Sequence, residues 1–334
     1  MRKKYFIKNK LLVKEEIFPL LSKVDTIIFD VDGVLVDVSA SYYQTIIDTV
    51  QYYFNSIIGI SPGKGKLIDE QVINNFKTIG GFNDDWELSA AAVLFYLWKM
   101  KKYQLSTIDE LKNNPPLINE FINENLVGGG GLSQLISWIK DNSTLDNIFS
   151  LWNKGKIFRI AKEFYSGEKY CFQLFKFYPE IVGKEKGNIE KEIVSIKPEI
   201  IKKLRKFHIG ILTGRSRAEA NILIEKNNWY SWLKEEMIIT PEDNKRKPSP
   251  DGLRFFLKKF QSELGLYIGD TMDDLLTVKN LNQQYEKLHC LSALVLGEYS
   301  AEKEIQIDYY QKNDIDLLAE NVNQVIELIF DYQI

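Results

Sequence analysis

Histidine and cysteine are scarce in this chain, with two of each among 334 residues. Cys171 and Cys290 stand far apart and outside any Cys-x-x-Cys or Cys/His pattern. Neither a zinc site nor a disulfide framework is therefore predicted, and both residues are expected to be buried thiols. His208 and His289 exclude a histidine-rich metal centre and disfavour most histidine-based triads. Each precedes or enters an apolar run, so both are expected to be structural. Net charge is small as well, at −3 with a pI of about 5.7, which gives no global pull toward nucleic acid or anionic lipid. Long apolar runs are missing. The longest, Ala90 to Trp98, is too short to span a bilayer, and lysines and glutamates break up MRKKYFIKNKLLVKEEIFPLL too often for a signal peptide. The expectation is a cytoplasmic protein that binds neither nucleic acid nor membrane, with chemistry that runs on carboxylates.

What is present is ordinary globular composition, 45% hydrophobic and 27% charged, at a length that favours about two domains. Short apolar runs at Thr26 to Phe29, His208 to Leu212, Met237 to Ile239, Leu264 to Ile268 and Leu291 to Leu296 are bounded by polar residues or glycine. They predict an α/β fold with a Rossmann-like parallel sheet. Between the first two lies a stretch far longer than the dozen or so residues a crossover needs. Helical spacing at Tyr42 to Phe54, Trp86 to Tyr103, Leu132 to Lys140 and Ile157 to Phe164 makes that stretch a large inserted helical domain. The predicted organisation is a sheet domain over 22–38 and 196–334, an inserted helical domain over 39–195, and an N-terminal amphipathic helical extension over 1–21. Asn313 to Phe330 is predicted to form a further helix on the sheet. Gly128 to Gly131 has no preceding strand and no following Gly-Lys-Ser/Thr, so it is expected to be a connector rather than a phosphate loop.

Four segments carry candidate chemistry. Asp30-Val31-Asp32-Gly33 follows the first strand, at the carboxyl edge where ligands of open α/β sheets bind. Thr213-Gly214-Arg215 follows the second, offering a hydroxyl to an anionic oxygen and an amide that can come close. Lys247, within Lys-Arg-Lys-Pro-Ser-Pro, brings a cation, and Gly269-Asp270-Thr271-Met272-Asp273-Asp274 brings a second acidic loop. A hard cation such as magnesium takes oxygen ligands, and these acids supply them without histidine or cysteine. Taken singly, each segment also fits a turn or a capped helix start; Thr213, for instance, could cap the helix after it. Arg215 and Arg217 suit either phosphate contact or a solvated helix face. Gly80 to Glu87, with Asn83 at its centre, fits either a loop over a substrate or a capping turn, with Asp84 or Asp85 as the cap.

In order and residue type the four segments resemble the haloacid dehalogenase superfamily, in the branch whose helical cap lies between the first and second motifs. The resemblance implies Asp30 as nucleophile, Asp32 as general acid/base, Thr213 and Gly214 as phosphate contacts and Lys247 as the charge-stabilising lysine. It further implies a magnesium ion held by Asp30, the Asp32 carbonyl and Asp270, with Asp274, preferred over Asp273 for its spacing from Asp270, in direct or indirect support. Asn83 is the cap's candidate for substrate contact. The implied activity is hydrolysis of a small phosphorylated metabolite through an aspartyl-phosphate, with a phosphomutase as the alternative and a non-catalytic binding module third. Asp32 disfavours dehalogenation and also phosphonate cleavage, for which Lys64 and Lys66 would be available. The insertion is larger than the compact cap of the phosphoglycolate phosphatase and β-phosphoglucomutase types, so their substrates do not transfer, and oligomeric state is not read.

Overall fold

The computed structural model describes residues 4–8, 11–79, 81–82, 84–126, 130–142, 148–183, 185–297 and 301–333. The chain divides into two units, one formed by Met1–Asp37 with Ile193–Ile334 and the other by Val38–Glu192.

Among the described residues the first unit has ten strands: β1 (Tyr5–Lys8), β2 (Leu11–Lys14), β3 (Val24–Phe29), β4 (Val36–Asp37), β5 (Ile193–Val194), β6 (His208–Leu212), β7 (Ile238–Ile239), β8 (Leu264–Gly269), β9 (Cys290–Val295) and β10 (Leu317–Ala319). Eight of them form one sheet in the order β1-β2-β10-β9-β8-β3-β6-β7, while β4 and β5 pair separately. From β10 to β7 every neighbour is parallel. Such strands are covered on both faces, which is why β8 and β9 are buried at every position instead of alternating. Helices such as Arg217–Lys226, Asp251–Phe260 and Met272–Gln284 supply the crossovers. Because β3 lies between β6 and β8, with Phe29 in register with both Ile211 and Ile268, the loops after these three strands emerge side by side. His208 stacks on Phe260 with ring centroids 4.7 Å apart, and both cysteines are buried.

Two predicted helices are corrected. The N-terminal extension is a β-hairpin, β1 with β2, and β2 adds antiparallel to β10 at the sheet edge. The apolar clusters Tyr5-Phe6-Ile7 and Leu11-Leu12-Val13 are too short for a helical stripe, and Pro19 lies within the short 3₁₀ segment Glu15–Lys23 that follows. Near the carboxyl end, Leu317 and Leu318 belong to β10, and the helix begins only at Val322, after Asn321 accepts a hydrogen bond from the Gln324 amide at 3.2 Å.

The second unit is helical. Its central helix, Asp85–Tyr103, is buried from Leu88 through Lys99. Phe95 and Trp98 pack there with Phe121 and Trp138, whose centroids lie 4.6 Å apart. Lys99, buried in this core, donates to the Leu111 carbonyl at 2.6 Å, giving a helix-end acceptor a partner. Among the described residues no helix is long and apolar enough to cross a membrane.

Candidate active site

Asp30 is the first residue beyond β3. Its amide donates to the Ile268 carbonyl at 2.8 Å, continuing the ladder, and its Oδ1 accepts from the Val31 amide at 2.7 Å. The chain then turns tightly: the Leu35 and Val36 amides both reach the Val31 carbonyl, at 2.9 and 3.1 Å. Gly33 sits in this turn with φ +71°, a left-handed conformation that favours glycine.

Across the carboxyl edge, Lys247 Nζ lies 2.6 Å from Asp30 Oδ2 and 2.8 Å from Asp274 Oδ1. Asp274, 1% exposed, accepts from every side. Its Oδ1 also takes the Tyr267 hydroxyl at 2.8 Å. Its Oδ2 takes the Asp270 amide at 3.2 Å and the Thr271 amide and hydroxyl at 3.0 and 2.6 Å. Carboxylate oxygens of Asp30, Asp270 and Asp274 come within 4.8 Å of one another. Asp273 is not in that group; it stands in the first turn of the following helix, where its carbonyl accepts from Thr277.

Thr213 continues β6, its amide donating to the Ile239 carbonyl at 3.0 Å. Its Oγ1 accepts the Arg215 amide at 3.1 Å, and no described residue accepts the hydroxyl proton. The cap of the next helix is Ser216, so the capping reading of Thr213 does not hold. Around Gly214 a side chain would meet open space. Arg215 is buried and ion-paired with Asp32, Nη2 to Oδ1 being 2.6 Å. Arg217 braces the neighbouring loop through the Ile238 carbonyl and Asp243. Arg215 therefore does not solvate a helix face, whereas the Arg217 side chain stays partly exposed. In the helical unit, Asp84 caps its helix by accepting from the Trp86 and Glu87 amides, Lys66 pairs with Asp48, and the Lys64 amide reaches Asp109. Asn83 lies outside the described residues, as does part of the Gly128 to Gly131 run.

A model of the haloacid dehalogenase-like hydrolase family matches residues 24–282, most of the chain. The chain belongs to that family. Among solved structures, this hydrolase is similar to phosphatase Tt82 from Thermococcus thioreducens, with 24% identity, a TM-score of 0.59, and coverage of 91% of this chain and 98% of that one. A HAD-superfamily hydrolase of subfamily IA from Geobacter sulfurreducens PCA is more distant, at 12% identity and a TM-score of 0.43, over 92% and 97% of the two chains. An imidazoleglycerol-phosphate dehydratase from Phytophthora nicotianae is 33% identical over 75 residues, which is 22% of the hydrolase and only 14% of that protein.

Electrostatics separate the hydrolase's three clustered acids. Burial pushes the Asp30 carboxyl up to about 7, Lys247 working against it and Asp274 and Asp32 with it. Asp270 is raised well above the carboxylate range, by burial first and then by Asp30 and Asp274. No described residue donates a hydrogen bond to its carboxylate. Asp274 is held low despite its burial, because Lys247 and the Thr271 and Tyr267 hydroxyls stabilise the anion. The Lys247 ammonium, which burial disfavours, is held charged by Asp30 and Asp274. One lysine for three converging carboxylates, with Asp270 left without a donor, is a donor set of hard oxygens short of positive charge. It fits a divalent cation. Two members of this network carry no role in the motif reading. Tyr267 is hidden inside a fully buried strand, and Thr271 was legible only as the threonine three residues before an acid that marks a capping box.

Proposed function

We propose that this hydrolase is a magnesium-dependent phosphatase of small phosphomonoesters. The observation that carries the reading is the convergence of the Asp30, Asp270 and Asp274 carboxylates, of which Lys247 pairs with Asp30 and Asp274 while no described residue donates to Asp270.

Asp30, the Asp32 carbonyl and Asp270 would hold the ion, and Asp274 would act through Asp270 and Lys247, since its oxygens are already engaged by five donors. When bound, the ion supplies positive charge that offsets repulsion between an anionic nucleophile and an anionic phosphate. Asp30 attacks phosphorus, forming an aspartyl-phosphate as the alkoxide leaves. Asp32 gives that oxygen a proton and later takes one from the water that attacks the phosphoenzyme. Lys247 and the Thr213 hydroxyl hold phosphate oxygens where charge develops.

The test is release of phosphate from a panel of phosphorylated metabolites by wild type and Asp30→Asn, each with magnesium and with chelator. The expected result is turnover that needs both the metal and Asp30. A wild type inactive across the panel and toward aryl phosphates would overturn the reading.

A further inference from the structure

Arg215 is the least expected member of this edge. Its side chain is fully buried, 0% exposed, whereas that of its partner Asp32 is 31% exposed. Two of its donors converge on one oxygen of that partner: Nε lies 2.8 Å and Nη2 2.6 Å from Asp32 Oδ1. The other oxygen, Oδ2, has no partner among the described residues. The arginine's own backbone is tied at the same point, its amide donating to Thr213 Oγ1 at 3.1 Å, one residue before the Ser216 helix cap. A planar guanidinium whose donors form a rigid fork sets the direction of a carboxylate more tightly than a flexible ammonium.

Resting on the phosphatase reading, we infer that Arg215 is the positioning residue of the acid/base step. It pins Asp32 by Oδ1, so that Oδ2 is the oxygen presented to the leaving group. The transfer then balances simply: the proton on Oδ2 passes to the departing ester oxygen as the P–O bond breaks, and the electron pair of that bond stays on the alcohol. Arg215 exchanges no proton.

A purely structural salt bridge would give a different result in one respect. Protonation matters for a poor leaving group and hardly at all for a good one, so a misdirected Asp32 penalises the two unequally. The experiment measures kcat/KM, which reports the first chemical step, for phenyl phosphate and p-nitrophenyl phosphate with wild type, Arg215→Met and Arg215→Lys. General acid catalysis is worth about 10²–10⁴-fold, so the methionine variant is expected to lose roughly ten-fold or more on phenyl phosphate. On p-nitrophenyl phosphate it should stay within about three-fold of wild type, with the lysine variant between. Equal losses on both substrates would overturn the inference while leaving the phosphatase reading intact; a wild type inactive on both overturns that reading and the inference with it. Should Arg215→Met fail to fold, Arg215→Lys alone and in an Asp32→Asn background decides the matter. Once Asp32 is asparagine the lysine change should no longer alter the ratio of the two substrates, and a further change would contradict the assignment.

Discussion

Gly33 and Asp270 are packed so closely that a Cβ on Gly33 would lie 2.1 Å from Asp270 Oδ2. The glycine after the two acids is thus needed twice, for its left-handed φ of +71° and for the space Asp270 occupies. Gly33→Ala should cost about 1–2 kcal/mol from backbone conformation alone. By displacing Asp270 it should also weaken magnesium binding roughly ten-fold or more. Magnesium titration of activity measures the second effect, and an unchanged midpoint would contradict the role given to Asp270.

Lys247 is the cation the buried acids share. Lys247→Met leaves Asp30 and Asp274 facing one another without it, and removing one partner of a buried pair costs about 3–5 kcal/mol. Denaturant unfolding in chelator should register that loss, with added magnesium recovering part of it. A variant as stable as wild type would mean that the acids are relieved in some other way.

The two acids at the start of helix Met272–Gln284 should behave oppositely. Asp274→Asn replaces an acceptor-only carboxylate with an amide that points a donor at Lys247, Tyr267 or Thr271. Both stability and magnesium dependence should suffer, whereas Asp273→Asn should change each by little. The reverse ranking would move the supporting role to Asp273.

Asp30 gives the metal-free fold a defined pH dependence. Its carboxyl titrates near 7 in the fold against an ordinary 3.8, so the folded protein retains a proton that the unfolded chain has released. The stabilisation from this group is fully present below the ordinary value and is lost as pH rises through about 7. Because a cation needs the deprotonated carboxylate, the rise in Tm on adding magnesium should widen across that window. Melting curves with chelator and with magnesium between pH 4 and 8 check this; a constant gap would contradict it.

The sheet and the acids were legible because their signals are local. A run such as Leu264 to Ile268, apolar throughout and ending in Gly-Asp, declares both a buried parallel strand and the end of it that carries chemistry. Strands β2 and β10 were not legible for the opposite reason. Nothing within Leu11 to Lys14 states that β10 lies beside it, and Leu317 and Leu318 match a helical stripe until pairing with β9 makes them strand. The Arg215–Asp32 pair was hidden in the same way. Two residues far apart in sequence meet only because β3 and β6 are neighbours, and local spacing offered a phosphate contact or a solvated face instead. Tyr267 looked like any aromatic in a buried strand until its hydroxyl was found on Asp274.

The central claim is that Asp30 is the atom donor that attacks phosphorus, and trapping tests it most directly. Wild type mixed with a turned-over phosphomonoester, acid-quenched and reduced with borohydride should carry homoserine at position 30, since an acyl phosphate is reduced and a free carboxylate is not. Steady turnover with Asp30 recovered unmodified, together with an active Asp30→Asn variant, would contradict it.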